Sequence, residues 1–210
     1  MPDRTRKLFV AGLTGSIGMG KTETAKLFAR LGIPVYDADA AVHALYSKGG
    51  AAVGAIAAAF PGMVVEGSVD RGKLMKRLFG DEAAFKRLES IVHPLVLEAR
   101  RIFLEDAEKR RDPLVILDIP LLFETGIDKE VDAIVVASAP HHVQRKRVLE
   151  RPGMSIETLE AIEARQVPDS EKRAKADFVI ETDKGLEQAF EEVKKIAAEL
   201  HRRAKEKSQR

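Results

Sequence analysis

Gly15-Ser16-Ile17-Gly18-Met19-Gly20-Lys21-Thr22 satisfies G-x-x-x-x-G-K-[ST] at every fixed position. Ahead of it, Leu8-Phe9-Val10-Ala11-Gly12-Leu13 is a short apolar run that reads as a buried strand. Behind it, residues 21–31 read as a helix with Ala25, Phe28 and Leu31 on one inner face. Strand, glycine-rich loop and helix in this order form a P-loop, a cradle for phosphate. The glycines let backbone N–H groups turn inward around anionic oxygens, and the helix start adds partial positive charge. Lys21 can reach the outer phosphates of a nucleoside triphosphate, and the Thr22 hydroxyl can ligate Mg²⁺. Gly15, Gly18, Met19, Gly20, Lys21, Thr22 and Glu23 are the expected nucleotide-binding positions.

Outward from this loop, a second strand is expected at Ile33-Pro34-Val35-Tyr36, ending in Asp37-Ala38-Asp39. A helix over 40–47 follows, and Gly49-Gly50 breaks it. Residues 51–111 differ in character and read as helices over 51–60, 71–79, 83–91 and 95–109. Leu114-Val115-Ile116-Leu117-Asp118, Ala133-Ile134-Val135-Val136-Ala137 and Phe178-Val179-Ile180 read as further strands. Apolar runs without alternation suit a parallel sheet covered on both faces. Leu186, Phe190, Val193, Ala197 and Leu200 form the inner stripe of a closing helix, and residues 201–210 read as a solvated basic tail.

Asp39 and Leu114 lie about 75 residues apart, whereas a βαβ unit needs only about 30. The surplus is helical, so an inserted subdomain is expected. The arginine- and lysine-rich stretch 141–175 reads as a second insertion. The expected division is a core of 1–50, 113–140 and 176–210, a helical acceptor-binding insert at 51–112, and a lid at 141–175.

Composition is compatible with this. The 210 residues are 45% hydrophobic and 32% charged, enough for one α/β domain with an insert. A net charge of +2 with only 5% aromatics argues against stacking on nucleic-acid bases. No cysteine is present, which excludes disulfides, cysteine nucleophiles and thiolate metal sites. Residues 1–7 lack the apolar stretch of a signal peptide, and the longest apolar run, 51–60, is too short to span a bilayer. A cytoplasmic monomer without nucleic-acid or membrane partners is expected.

Several constellations can carry chemistry. Asp37 and Asp39 end the second strand, where ligands bind in open α/β sheets, and a carboxylate there can accept a proton from an attacking hydroxyl. Either can equally cap the next helix, and spacing alone does not choose between them. Asp118 follows four apolar strand residues, the placement of a water-mediated Mg²⁺ ligand. Leu121, Leu122 and Glu124 follow it and can line an acceptor pocket; ordinary core is the plainer reading for the leucines. Arg145, Lys146, Arg147 and Arg151 share one basic helix, with Arg147 and Arg151 on one face. Cations so placed suit a migrating phosphoryl group, although neighbouring glutamates can balance them at a solvated surface. Arg71 and His93 lie in the helical insert, and no cysteine or histidine near His93 suggests zinc.

The ordered set resembles the dephospho-CoA kinase family. It comprises residues 13–22, Val35-Tyr36-Asp37-Ala38-Asp39, Arg71, His93-Pro94-Leu95, Asp118-Ile119-Pro120-Leu121-Leu122-Phe123-Glu124 and Ala176-Asp177-Phe178-Val179-Ile180. The resemblance covers residues 8–200. It implies an α/β P-loop kinase fold with a mostly parallel five-stranded sheet flanked by helices, a helical CoA-binding insert and a lid. It also implies transfer of the ATP γ-phosphate to the ribose 3′-hydroxyl of dephospho-CoA, the last step of coenzyme A synthesis. Asp39 matches the proposed base, and Lys21 and Thr22 match the phosphate and Mg²⁺ ligands. Arg147 matches a lid arginine. Asp37, Arg71, His93, Leu121, Leu122 and Glu124 match the acceptor region. Ser16 and Met19 depart from the small residues the family prefers in the loop, and Glu23 stands where threonine is common. After Ile180, Glu181-Thr182-Asp183-Lys184-Gly185 replaces the usual asparagine, which bears on the purine contacts. The chain has no asparagine and so cannot contain the N-K-x-D motif of Ras-type guanine switches, which argues strongly against a regulatory GTPase. Aspartates rather than arginines after the second strand favour a hydroxyl acceptor over a nucleoside monophosphate.

Overall fold

The structure is a computed structural model describing residues 7–209. In chain order, β1 (Phe9–Thr14), α1 (Lys21–Arg30) and β2 (Val35–Asp37) come first. Helices α2 (Ala38–Tyr46) and α3 (Val53–Ala59), a hairpin of β3 (Val64–Val65) and β4 (Ser68–Val69), α4 (Arg71–Leu78) and α5 (Glu82–Arg110) follow. Then come β5 (Leu114–Asp118), β6 (Ala133–Ser138), α6 (His141–Leu149), α7 (Ile156–Glu163), α8 (Asp169–Lys175), β7 (Phe178–Glu181) and α9 (Leu186–Ser208). The chain divides into two compact units, one of residues 1–36 and 107–210, the other of 37–106. The helical unit thus begins at Asp37 and takes in α2, whereas residue spacing placed the insert at 51–112.

The first unit is built on a five-stranded sheet in the order β2-β5-β1-β6-β7. Strand β1 is central and runs parallel to both β5 and β6, and β7 runs parallel to β6. All six residues of β1 and all five of β5 are buried, as continuous apolar runs require. Phe9, Ala11 and Leu13 share a core with Phe28 of α1 and Val193 and Leu200 of α9. The periodicity of α9 continues beyond Leu200 to Ala204, which is 2% exposed. The basic end is therefore helix and not a free tail. Lys207 donates to both carboxylate oxygens of Asp132 at 2.8 Å and to Leu8 O at 3.1 Å.

The second unit has its own core, including Tyr46, Ile56, Leu74, Leu88 and Val92. Residues 83–91 and 95–109 were expected as separate helices, but α5 runs through Pro94 unbroken. Proline removes one helical hydrogen bond and crowds the preceding turn. Here Leu88, Ile91, Val92, Leu95 and Val96 continue one apolar face across it into the same core, and that shared burial outweighs the local penalty.

Candidate active site

Strand β1 delivers the loop 15–20 to the carboxyl end of the sheet, where α1 begins. Gly15 is required by close approach: a Cβ there would stand 2.6 Å from Ala137 O on β6. Gly20 is required by conformation, since it caps α1 at φ 87°. No side chain caps this helix, which leaves its first N–H groups for an anion.

Met19 is the unexpected loop residue, and its surroundings explain it. Its side chain is 3% exposed and its Sδ accepts from Ala139 N at 3.1 Å. Its N–H closes a turn on Ser16 O. The larger side chain thus anchors the loop against the end of β6. Glu23 is exposed and pairs with Lys26, which keeps its charge on the solvent side of α1. Thr22 is exposed in the first turn of α1.

Parallel pairing sets Leu13 opposite Asp118, so the loop and the end of β5 emerge side by side. Lys21 Nζ lies 2.6 Å from Asp118 Oδ1, with side-chain exposures of 12% and 3%. These two predicted residues are brought together. Past Asp118, Leu121 is exposed, but Leu122 is fully buried. A Cβ on Gly12 would meet Leu122 at 3.1 Å, so Leu122 packs on β1 and is core rather than pocket lining. Glu124 Oε1 accepts from Val167 N at 2.8 Å and lies 3.1 Å from the ammonium of Lys172, a fully buried lysine. Through this oxygen Glu124 ties its own loop to α8 and the segment just before it.

Arg147 lies in α6 with its guanidinium already engaged. It donates to Thr182 Oγ1 at 2.9 Å, to Thr182 O at 2.7 Å and, at 3.4 Å, to Gly18 O. Thr182 Oγ1 in turn donates to Met19 O at 2.9 Å. Three segments distant in sequence meet here: the phosphate loop, α6 and the turn after β7. Beside them a cavity of about 330 Å³ is lined by Ser16, Met19, His141, Gln144, Gln166 and Asp169, among others. Gln144, Gln166 and Lys172 belong to no motif in the sequence. Gln144 carried no sequence signal, since α6 has only one other buried residue, Val148, and no apolar stripe on which a polar residue would stand out.

A family model for dephospho-CoA kinase matches residues 9–188. The chain belongs to the dephospho-CoA kinase family. It is 56% identical over 193 residues to the dephospho-CoA kinase of Mesorhizobium japonicum, covering 92% of this chain and 97% of the relative. It is 53% identical over 189 residues to that of Rhodopseudomonas palustris, covering 90% and 94%. Among solved structures, TT1252 from Thermus thermophilus is 35% identical with a TM-score of 0.75, covering 93% of this chain and 99% of that one. The dephospho-CoA kinase from Campylobacter jejuni shares the fold at 22% identity with a TM-score of 0.67, covering 93% and 98%.

The remaining predicted residues lie in the helical unit. Asp37 closes β2 and caps α2, accepting from Ala40 N at 2.9 Å. Asp39 is exposed in the first turn of α2, because the helix starts two residues earlier than its periodicity indicated. Arg71 opens α4 and is exposed. Burial raises the pKa of the Tyr46 phenol, and the charge of Arg71 partly offsets the rise. His93 sits mid-helix in α5, exposed and 4.0 Å from Glu89. Among the described residues no helix is long and apolar enough to cross a membrane.

Proposed function

We propose that this chain phosphorylates the ribose 3′-hydroxyl of dephospho-CoA with ATP, giving coenzyme A and ADP. The observation that carries the reading is the Lys21–Asp118 pair beside an uncapped helix start, in a chain that belongs to the family. The loop N–H groups and Lys21 hold the triphosphate and balance charge on the transferring group. Thr22 and Asp118 offer one hydroxyl and one carboxylate at the loop's mouth. Together with phosphate oxygens and water, that is the oxygen-rich donor set Mg²⁺ takes, so these residues fit the ion. Bound there, Mg²⁺ would neutralise charge on the outer phosphates.

Asp39 orients the acceptor hydroxyl and takes its proton as the new P–O bond forms and the bond to ADP breaks. Asp37 supports it by fixing the start of α2. Arg71, His93 and Leu121 contribute to acceptor binding, in a helical acceptor-binding subdomain and the loop after β5. Residues 141–175 act as the lid, and Arg147 reaches the phosphoryl group on closure by exchanging its bonds to Thr182. A cytoplasmic location goes with ATP as co-substrate, and sedimentation tests the proposed monomer.

The decisive experiment measures ATP consumption in parallel with dephospho-CoA, AMP, CMP and no acceptor. Turnover with dephospho-CoA alone is expected. Equal turnover with AMP or CMP, or turnover without acceptor, would refute the proposal.

A further inference from the structure

We infer that Gln144 and Gln166 are positioning residues that hold the phosphate loop in its binding shape by gripping both polar atoms of Ile17. Gln166 Oε1 accepts from Ile17 N at 3.1 Å, and Gln144 Nε2 donates to Ile17 O at 3.0 Å. Ile17 lies between Gly15 and Gly18, where backbone freedom is greatest. Its residue supplies one amide and one carbonyl, and each has a dedicated partner. The partners come from opposite sides of α7: Gln144 from α6, at 3% exposure, and Gln166 from the segment between α7 and α8.

The residue type matters as much as the geometry. The site must receive a polyanion. A carboxylate gripping Ile17 would repel it, and an ammonium would compete with Lys21 for it. The neutral amide of glutamine donates or accepts without adding charge. A loop held beforehand spares the nucleotide the cost of ordering it. The grip also links two sequence-distant segments to the loop, which a packing role alone would not need.

The inference rests on the reading of the loop as the ATP site, and the test separates the two. Gln144→Leu and Gln166→Leu are each expected to raise KM for ATP about tenfold, while KM for dephospho-CoA stays within about twofold. Gln144→Glu keeps the size but turns an acceptor toward Ile17 O, so it should be worse than Gln144→Leu. The added negative charge also repels the polyanion, so the Leu variants and the exchange measurement below carry the test of the hydrogen bond itself. Independently of turnover, hydrogen exchange at the Ile17 amide in the nucleotide-free protein should be faster in Gln166→Leu. Gln166 is only partly buried, so this variant carries the test if the Gln144 variants fail to fold. Unchanged Ile17 exchange, or tighter ATP binding in Gln166→Leu, would overturn the inference; the latter would make Gln166 a competitor for the phosphates. Absent wild-type turnover would count against the functional reading and leave the exchange test standing.

Discussion

The Lys21 ammonium rests on the Asp118 carboxylate at 2.6 Å, and both side chains are largely shielded from water. The pair stores the lysine where the triphosphate is to arrive and keeps its charge compensated meanwhile. Lys21→Ala should abolish transfer in a folded protein, lowering kcat by several orders of magnitude, about tenfold for each 1.4 kcal/mol of lost transition-state stabilisation. Single-turnover assays with a melting curve check this; near-normal turnover would remove Lys21 from the mechanism.

Asp118→Asn leaves that ammonium without its carboxylate. Breaking a buried pair by removing one partner costs about 3 kcal/mol, so the apo protein should melt at clearly lower temperature. Saturating ATP should recover more stability in the variant than in wild type, because the triphosphate supplies the missing counter-charge. Calorimetry with and without ATP decides the matter.

Arg147→Ala removes three contacts at once, two to Thr182 and one to Gly18. KM for ATP should rise about tenfold through loss of this tie. If the guanidinium also serves the phosphoryl group, kcat falls strongly while KM for dephospho-CoA hardly changes. An unaltered kcat would confine Arg147 to holding the loop.

The strand-end aspartates should separate cleanly. Asp39→Asn keeps size and polarity but removes basicity, so kcat should fall at least about a hundredfold with ATP binding retained. Asp37→Asn should cost little, because asparagine caps a helix as well as aspartate does, whereas Asp37→Ala should lose about 1 kcal/mol of stability. A dominant kinetic effect at Asp37 would exchange the two roles.

Acid should also act on the charged face of α9. Hydrogen bonds from Arg202 and then Arg203 pull the Glu199 carboxyl from 4.5 down to about 2. A carboxyl with a lowered folded pKa stabilises the fold above its unfolded pKa, and that contribution is lost as pH falls through the folded one. The window is therefore from about pH 4.5 down to about pH 2. Glu199→Gln should flatten the acid slope of thermal stability in this window. The effect should be modest and salt-sensitive, since the group is partly open to solvent.

The core strands and the loop were legible because backbone constraints write themselves into residue type. An αL cap demands Gly20, and a strand covered on both faces demands an unbroken apolar run such as 114–117. What escaped was decided by packing between distant segments. Pro94 reads as a break until the apolar face on either side of it is seen to share one core. Residues 201–208 read as a tail because Lys207 finds Asp132 and Leu8 only through the tertiary fold. Leu122 carries the right residue type for a pocket, yet Gly12 claims it. Gln144 and Gln166 carry no charge and match no motif, so only their meeting at Ile17 marks them.

The bond between Lys207 and Leu8 spans 199 residues and ties the last helix to the start of the central strand. Synthesis runs in the opposite order of need. The strand that bears the phosphate loop is made before its neighbours β5 and β6, which emerge about 100 residues later or more, and before its latch, 199 residues on. Long-range parallel pairing of this kind is slow, because chain closure must be achieved before the contacts reward it. The nucleotide loop is thus made before the partners that complete it, so a chain stalled short of residue 207 carries the phosphate motif without its finished cradle.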